Sequence, residues 1–209
     1  MLSSSSVVVV DYQMGNLRSV EKSFQKMNCS VEITSDHKAI QKAEKIVLPG
    51  VGSFRDGMKN LEKLGLADVL RKEVILNKKP FLGICLGMHL IAKKGYENGQ
   101  TCGLNWLDAE VVRFDFQGDL KKNKIPHVGW NSVRYVNTCD LYSHIPNNGD
   151  FYFVHSYHFR TNEDVVTGIT THGIDFVSSI QKDNIYAFQF HPEKSQQLGL
   201  EIINNFSKC

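Results

Sequence analysis

The chain lacks a charge excess of either sign, paired cysteine spacing and any long apolar run. Its 24 basic and 22 acidic residues leave a formal net charge of +2, too little to make a field that draws in nucleic acid or anionic lipid. The five cysteines, Cys29, Cys85, Cys102, Cys139 and Cys209, are odd in number and show no C-x-x-C spacing. That speaks against a disulfide framework or a zinc site and suits a reducing cytosol. No stretch approaches the ~18 apolar residues of a membrane span. The apolar run at 7–10 is too short for a signal sequence and has no basic patch before it. A cytoplasmic protein with no nucleic-acid and no membrane partner is expected. No His, Cys and Asp cluster has ligand spacing, so neither a metal nor an organic cofactor is expected.

What is present is enough apolar sequence for one core. With 209 residues, 42% of them apolar, the chain is long enough for one sizeable core and short for two, so residues 1–209 are read as a single domain with 1–6 a frayed leader. Residues 7–12 read as a buried strand, and Leu17, Val20, Phe24 and Met27 then recur at helical spacing. Further short strands are expected at 31–34 and 45–48, helices at 58–64 and 66–76, a strand at 81–85 and a helix at 86–94. This alternation predicts an α/β fold with a mostly parallel sheet and helices on both faces. After Gly95 the texture turns β-rich, with strands expected at 110–116, 131–136, 151–159, 165–171, 176–180 and 185–190, and a closing amphipathic helix at 198–206. The second half is therefore expected to extend the sheet with antiparallel strands.

Chemistry concentrates at two places. Gly83-Ile84-Cys85-Leu86-Gly87 runs an apolar strand into a cysteine flanked by glycines, with a helical pattern following at once. Such glycines permit the sharp strand-to-helix turn that lifts a nucleophile clear of a sheet, and a helix N-terminus favours the reactive thiolate. A lone cysteine is more often a small buried hydrophobe. Against that, Phe188-Gln189-Phe190-His191-Pro192-Glu193 sets a histidine and a carboxylate at the end of another apolar strand, and a cysteine nucleophile needs a base that a third group orients. In doubly wound sheets the carboxyl ends of the parallel strands converge on one crevice, which gives Cys85 and His191 a way to meet.

These residues resemble the class I (triad) glutamine amidotransferases, which have a flavodoxin-like fold. Asp11-Tyr12, Gly15-Asn16-Leu17-Arg18-Ser19, Leu48-Pro49-Gly50-Val51-Gly52, Pro126-His127-Val128-Gly129-Trp130-Asn131 and Tyr152-Phe153-Val154-His155-Ser156-Tyr157 make the chain similar to the glutaminase subunits of imidazole glycerol phosphate synthase. The resemblance implies that Cys85 attacks L-glutamine, that His191 moves the proton and that Glu193 orients the imidazole. It implies an oxyanion hole at Gly50, Val51 and Gly52, whose Val51 peptide is misaligned until the partner binds its nucleotide. It also implies substrate contacts at His89, His155, Ser156 and Tyr157. Asn16, Trp130 and Lys194 are implied to face a (β/α)8-barrel synthase subunit in a heterodimer. From the residues alone, a core aromatic is the more common fate of a tryptophan such as Trp130, Asn16 could be a helix cap, Lys194 a solvated charge, Gly50 to Gly52 simply a turn, and His155, Ser156 and Tyr157 a satisfied β-strand surface.

Two positions depart from the family pattern. His89 stands where the elbow helix usually carries glutamine, and Gln13 where glycine is common. They keep open a paralogue that feeds ammonia to another acceptor, such as an enzyme of surface-sugar synthesis. Two readings come from other classes: a stand-alone cysteine hydrolase, and a binding subunit without turnover. His37, His127, His144, His158 and His172 stand in no ligand spacing and receive no role.

Overall fold

A computed structural model describes residues 6–116 and 123–209. In chain order the first half comprises β1 (Ser6–Val10), α1 (Leu17–Lys26), β2 (Ser30–Thr34), α2 (His37–Lys42), β3 (Lys45–Gly50), α3 (Phe54–Lys63), α4 (Leu66–Leu70), β4 (Phe81–Cys85) and α5 (Leu86–Leu90). The second half comprises β5 (Ala92–Gly95), β6 (Thr101–Cys102), β7 (Leu107–Arg113), β8 (His127–Tyr135), β9 (Gly149–His155), β10 (Tyr157–Thr161), β11 (Val166–His172), β12 (Ile174–Lys182), β13 (Ile185–Phe188) and α6 (Gln196–Ser207).

Strands β2, β1, β3, β4 and β13 lie side by side in that order, all parallel. Antiparallel strands continue the sheet from β12 outwards, with β5 and β7 a parallel pair near its far edge. This is the flavodoxin-like strand order, in which ligands bind at the carboxyl ends of the strands.

The four valines of β1 explain why its sequence is continuously apolar rather than alternating. Val7 and Val9 pack with Val20 and Phe24 of α1 and Ile202 of α6, while Val8 and Val10 join Phe54, Met58 and Leu86 on the opposite face. Both faces of the strand are covered, as in parallel sheets generally. The Phe24 and Phe206 rings meet edge-on at 6.1 Å, tying α1 to α6. Among the described residues no helix is long and apolar enough to cross a membrane.

Four expectations need correction. Ser6, assigned to the leader, begins β1: it pairs with Ser30, and its amide donates to Glu44 Oε2 at 3.2 Å; residues 1–5 lie outside the described residues. The helix expected at 86–94 stops at Leu90. The backbone carbonyls of Leu90, Ile91 and Ala92 accept from the amides of Leu104, Trp106 and Asn105, so they are not free to continue a helix and the chain leaves as β5. The run at 151–159 is two strands broken at Ser156. The helix at 66–76 changes from α to a wider π turn over Arg71–Leu76. Helix α2 was missed although Asp36 marks its start, with Oδ1 accepting from the Ala39 amide at 2.8 Å.

Candidate active site

Strand β4 ends on Cys85, whose backbone sits in a strained left-handed region, φ 52° and ψ −103°, immediately before α5. A non-glycine residue held there costs on the order of 1–3 kcal/mol and needs support from its surroundings. The flanking glycines supply it by close approach. A Cβ on Gly87 would lie 1.7 Å from the Leu48 carbonyl oxygen of β3, and one on Gly83 would lie 3.0 Å from the Gly87 backbone. Both glycines let the elbow press against the sheet.

The next strand brings the base. Phe188 of β13 pairs with Ile84 of β4, so His191, three residues on, emerges beside the elbow. Its backbone is held at both ends: the His191 amide donates to the Tyr152 carbonyl at 2.9 Å, and Ser195 Oγ donates to the His191 carbonyl at 2.7 Å. The imidazole is buried, and its Nδ1 donates to Glu193 Oε1 at 2.8 Å. Nε2 makes no ordinary hydrogen bond among the described residues. Burial alone would lower the His191 pKa. Interaction with the Cys85 sulfur, and then with Glu193, outweighs it and raises the value from 6.5 to about 10.

A cavity of about 420 Å³ opens over the sulfur, lined by Val51, Gly52, Cys85, His89, Glu97, His155, Ser156 and Tyr157 among others. Gly50 is the register partner of Cys85 across β3 and β4, which puts the start of the glycine loop beside the nucleophile position. Gly52 has a φ of +117°, and a Cβ there would meet the Met14 side chain at 2.6 Å. His89 is buried, and its Nε2 lies 2.7 Å from Gln189 Oε1. Gln189 in turn directs Nε2 toward Cys85 Sγ at 3.8 Å. Burial, only partly offset by that Gln189 contact, lowers the His89 pKa to about 4, so the ring is neutral at pH 7 and Nε2 is the donor. The imidazole that stands in place of the family's glutamine is therefore linked through Gln189 to the sulfur.

Glu97 was not singled out from sequence. Its Oε2 accepts from the Phe54 amide at 2.7 Å at the start of α3 while the residue lines the cavity. A carboxylate in the turn after β5 carries no motif, and only the fold brings it to the pocket.

The residues expected to face a partner divide. Trp130 is 48% exposed, so it is not a core aromatic. Its ring stands edge-on to Tyr152 at 6.1 Å, and Lys194 Nζ lies 5.8 Å from the Tyr152 ring centroid. Trp130 and Lys194 thus share one patch. Asn16 sits at the start of α1, with Nδ2 donating to Ser19 Oγ at 2.7 Å, and α1 packs against the Pro192–Lys194 turn. Gln13 has a φ of +66°, and its amide donates to Asp11 Oδ1 at 2.9 Å. The left-handed backbone gives a physical reason for glycine being common at that position.

Comparison with known proteins follows the same lines. Residues 8–209 match the family model of glutamine amidotransferase class-I. A curated relative from Campylobacter jejuni (strain RM1221), imidazole glycerol phosphate synthase subunit HisH 1, is 47% identical, covering 96% of this chain and 98% of its own length. The subunit of the same name from Methanococcus maripaludis is 45% identical, covering 96% and 98%. The structure of PurLQS from Thermotoga maritima contains a chain that superposes with a TM-score of 0.71 at 16% identity, covering 98% of this chain and 96% of that one. At that identity the likeness shows the fold alone.

Proposed function

Since the chain belongs to the class-I glutamine amidotransferase family, we propose that Cys85, His191 and Glu193 are its catalytic triad and that the cavity above them binds L-glutamine. The chain is the glutaminase subunit of an imidazole glycerol phosphate synthase of histidine biosynthesis. The observation that carries the site assignment is the adjacency of a strained cysteine elbow and a carboxylate-oriented histidine at the ends of two paired parallel strands.

In this mechanism the Cys85 sulfur attacks the side-chain carboxamide carbon of glutamine, and the proton held on His191 passes to the departing nitrogen, releasing ammonia and leaving a thioester. Water, deprotonated by His191, then attacks the thioester to give glutamate and the free thiol. The covalent intermediate replaces one difficult step with two easier ones. Glu193 holds Nδ1 and stabilises the imidazolium. The Gly50, Val51 and Gly52 loop supplies backbone N–H donors for the tetrahedral oxyanion. Glu97 offers a carboxylate to the substrate's α-ammonium, and His155, Ser156 and Tyr157 line the same cavity.

Ammonia must reach its acceptor before it is protonated to ammonium, which is no nucleophile. A (β/α)8-barrel synthase subunit docked over Trp130, Lys194 and Asn16 in a heterodimer would take the ammonia, forming imidazole glycerol phosphate and an aminoimidazole carboxamide ribotide. The test is glutamine hydrolysis by the purified chain with and without a histidine-pathway synthase subunit carrying its nucleotide ligand. Stimulation by the subunit is expected, and Cys85→Ala is expected to abolish turnover in both conditions. Glutamine turnover that survives Cys85→Ala would overturn the triad assignment, and a chain that neither binds nor responds to the synthase would overturn the pairing.

A further inference from the structure

Four histidines that the mechanism does not use as a base gather around Phe114 and Phe176, and one of them, His155, also lines the pocket. His127 and His172 stack at 4.2 Å, and the His155 and His158 rings lie 5.2 and 4.9 Å from Phe114. Two of them are joined by a hydrogen-bond chain whose direction the partners determine. His155 Nδ1 lies 2.8 Å from the Tyr157 carbonyl, an acceptor only, so Nδ1 carries the proton. Burial, with smaller contributions from neighbouring imidazoles, holds the His155 pKa well below 6.5, leaving Nε2 as a lone pair. His127 Nδ1, 3.0 Å away, must then donate to it. Burial and His172 likewise lower the His127 pKa to about 4, so His127 Nε2 is also an acceptor.

Asn131 completes the chain. Its Oδ1 accepts from the Ser132 amide at 2.9 Å, which orients its Nδ2 as a double donor, to the Thr171 carbonyl at 3.0 Å and to His127 Nε2 at 3.2 Å. Every donor meets an acceptor, and the bonds run one way: Asn131 to His127 to His155 to the Tyr157 carbonyl. One end is the wall of the cavity. The other is β8, whose alternate residues Val128 and Trp130 are 55% and 48% exposed, while His127 pairs in register with His155 of β9.

We propose that Asn131, His127 and His155 form a positioning relay that holds the Ser156 and Tyr157 wall of the glutamine pocket and ties its placement to the outer face of β8. His127 touches no substrate and acts through His155. The proposal rests on the glutamine-binding assignment of the pocket and deepens it: displacement of β8 by whatever covers Trp130 moves Asn131 and His127 with it, and the rigid chain of bonds carries that movement to the wall. A break in the relay leaves His155 Nε2 buried without a donor, and the wall relaxes to find one.

The relay is tested in two independent ways. In 15N-labelled wild-type protein, NMR is expected to show His127 and His155 both as Nδ1–H tautomers, with a scalar coupling across the N–H···N bond between them; Nε2–H tautomers at both, or no coupling, would overturn it. In the complex with a synthase subunit, His127→Phe keeps a ring but removes the donor. It is expected to raise KM for glutamine about tenfold with kcat within about twofold, the cost of one buried hydrogen bond. His127→Gln, which restores a donor and an acceptor, is expected to return KM to within about threefold. An unchanged KM in folded His127→Phe, or no recovery in folded His127→Gln, would overturn it. A wild-type chain that turns over no glutamine would instead sink the glutaminase assignment, and the tautomer measurement would then decide the relay alone.

Discussion

At the scale of single residues, Glu193 is used asymmetrically. Oε1 accepts the hydrogen bond from His191 Nδ1, while Oε2 is buried with no partner among the described residues. The carboxylate therefore serves by charge and by one directed bond rather than by a network. Glu193→Gln keeps an oxygen for Nδ1 but removes the charge that favours the imidazolium. It is expected to lower kcat by roughly 10²-fold with little change in KM, measured as glutamate formation in the stimulated complex; a loss confined to KM would reassign Glu193 to substrate binding. Single residues are also where sequence was most and least informative. Cys85, His191 and Glu193 stand in short motifs whose spacing implies their chemistry. Glu97 stands in no motif, and Asn131, His127 and His155 stand in motifs that do not reveal the bonds between them, because that relation depends on strand register and on which ring nitrogen carries a proton.

At the scale of elements, the elbow is governed by the contact between Gly87 and Leu48. A Cβ at Gly87 would fall on a β3 backbone oxygen that cannot move without breaking the sheet. Gly87→Ala is accordingly expected to destabilise the fold by at least about 3 kcal/mol, the upper end of ordinary overpacking, read as a fall in the urea midpoint; a midpoint unchanged from wild type would show that α5 can lift away from β3. Apart from α2, the strand and helix alternation up to Cys85 was legible because parallel strands covered on both faces give continuous apolar runs. The end of α5 was not, because the amides that take its last carbonyls come from residues 104–106, beyond the reach of local periodicity. For the same reason the break at Ser156 was hidden inside an unbroken apolar and aromatic run.

At the scale of the molecule, buried neutral imidazoles make stability depend on pH. His89 titrates near 4 in the fold and at 6.5 as a free side chain. Between those values the unfolded chain binds the proton and the folded one does not, so stability rises with pH through that window. On acidification from pH 7 to 4.5, His89 alone is expected to remove on the order of 2–3 kcal/mol. Urea unfolding at pH 7, 5.5 and 4.5 measures the loss, and His89→Gln, the residue of the family pattern, should make it shallower. An equally steep loss in His89→Gln would show that other groups set the acid limit. The parallel sheet and its antiparallel extension were both legible from texture, whereas the lateral strand order, which decides where the site sits, was not: nothing local in residues 185–188 says that they lie against 81–84.

That insertion of β13 beside β4 has a bearing on the birth of the protein. A ribosome adding roughly 5–20 residues per second presents the nucleophile's strand many seconds before the strand that belongs next to it. Throughout that interval the growing chain carries an open β edge and a thiol with no base. Truncated products of synthesis that stop short of His191 should therefore be sticky but chemically silent toward glutamine.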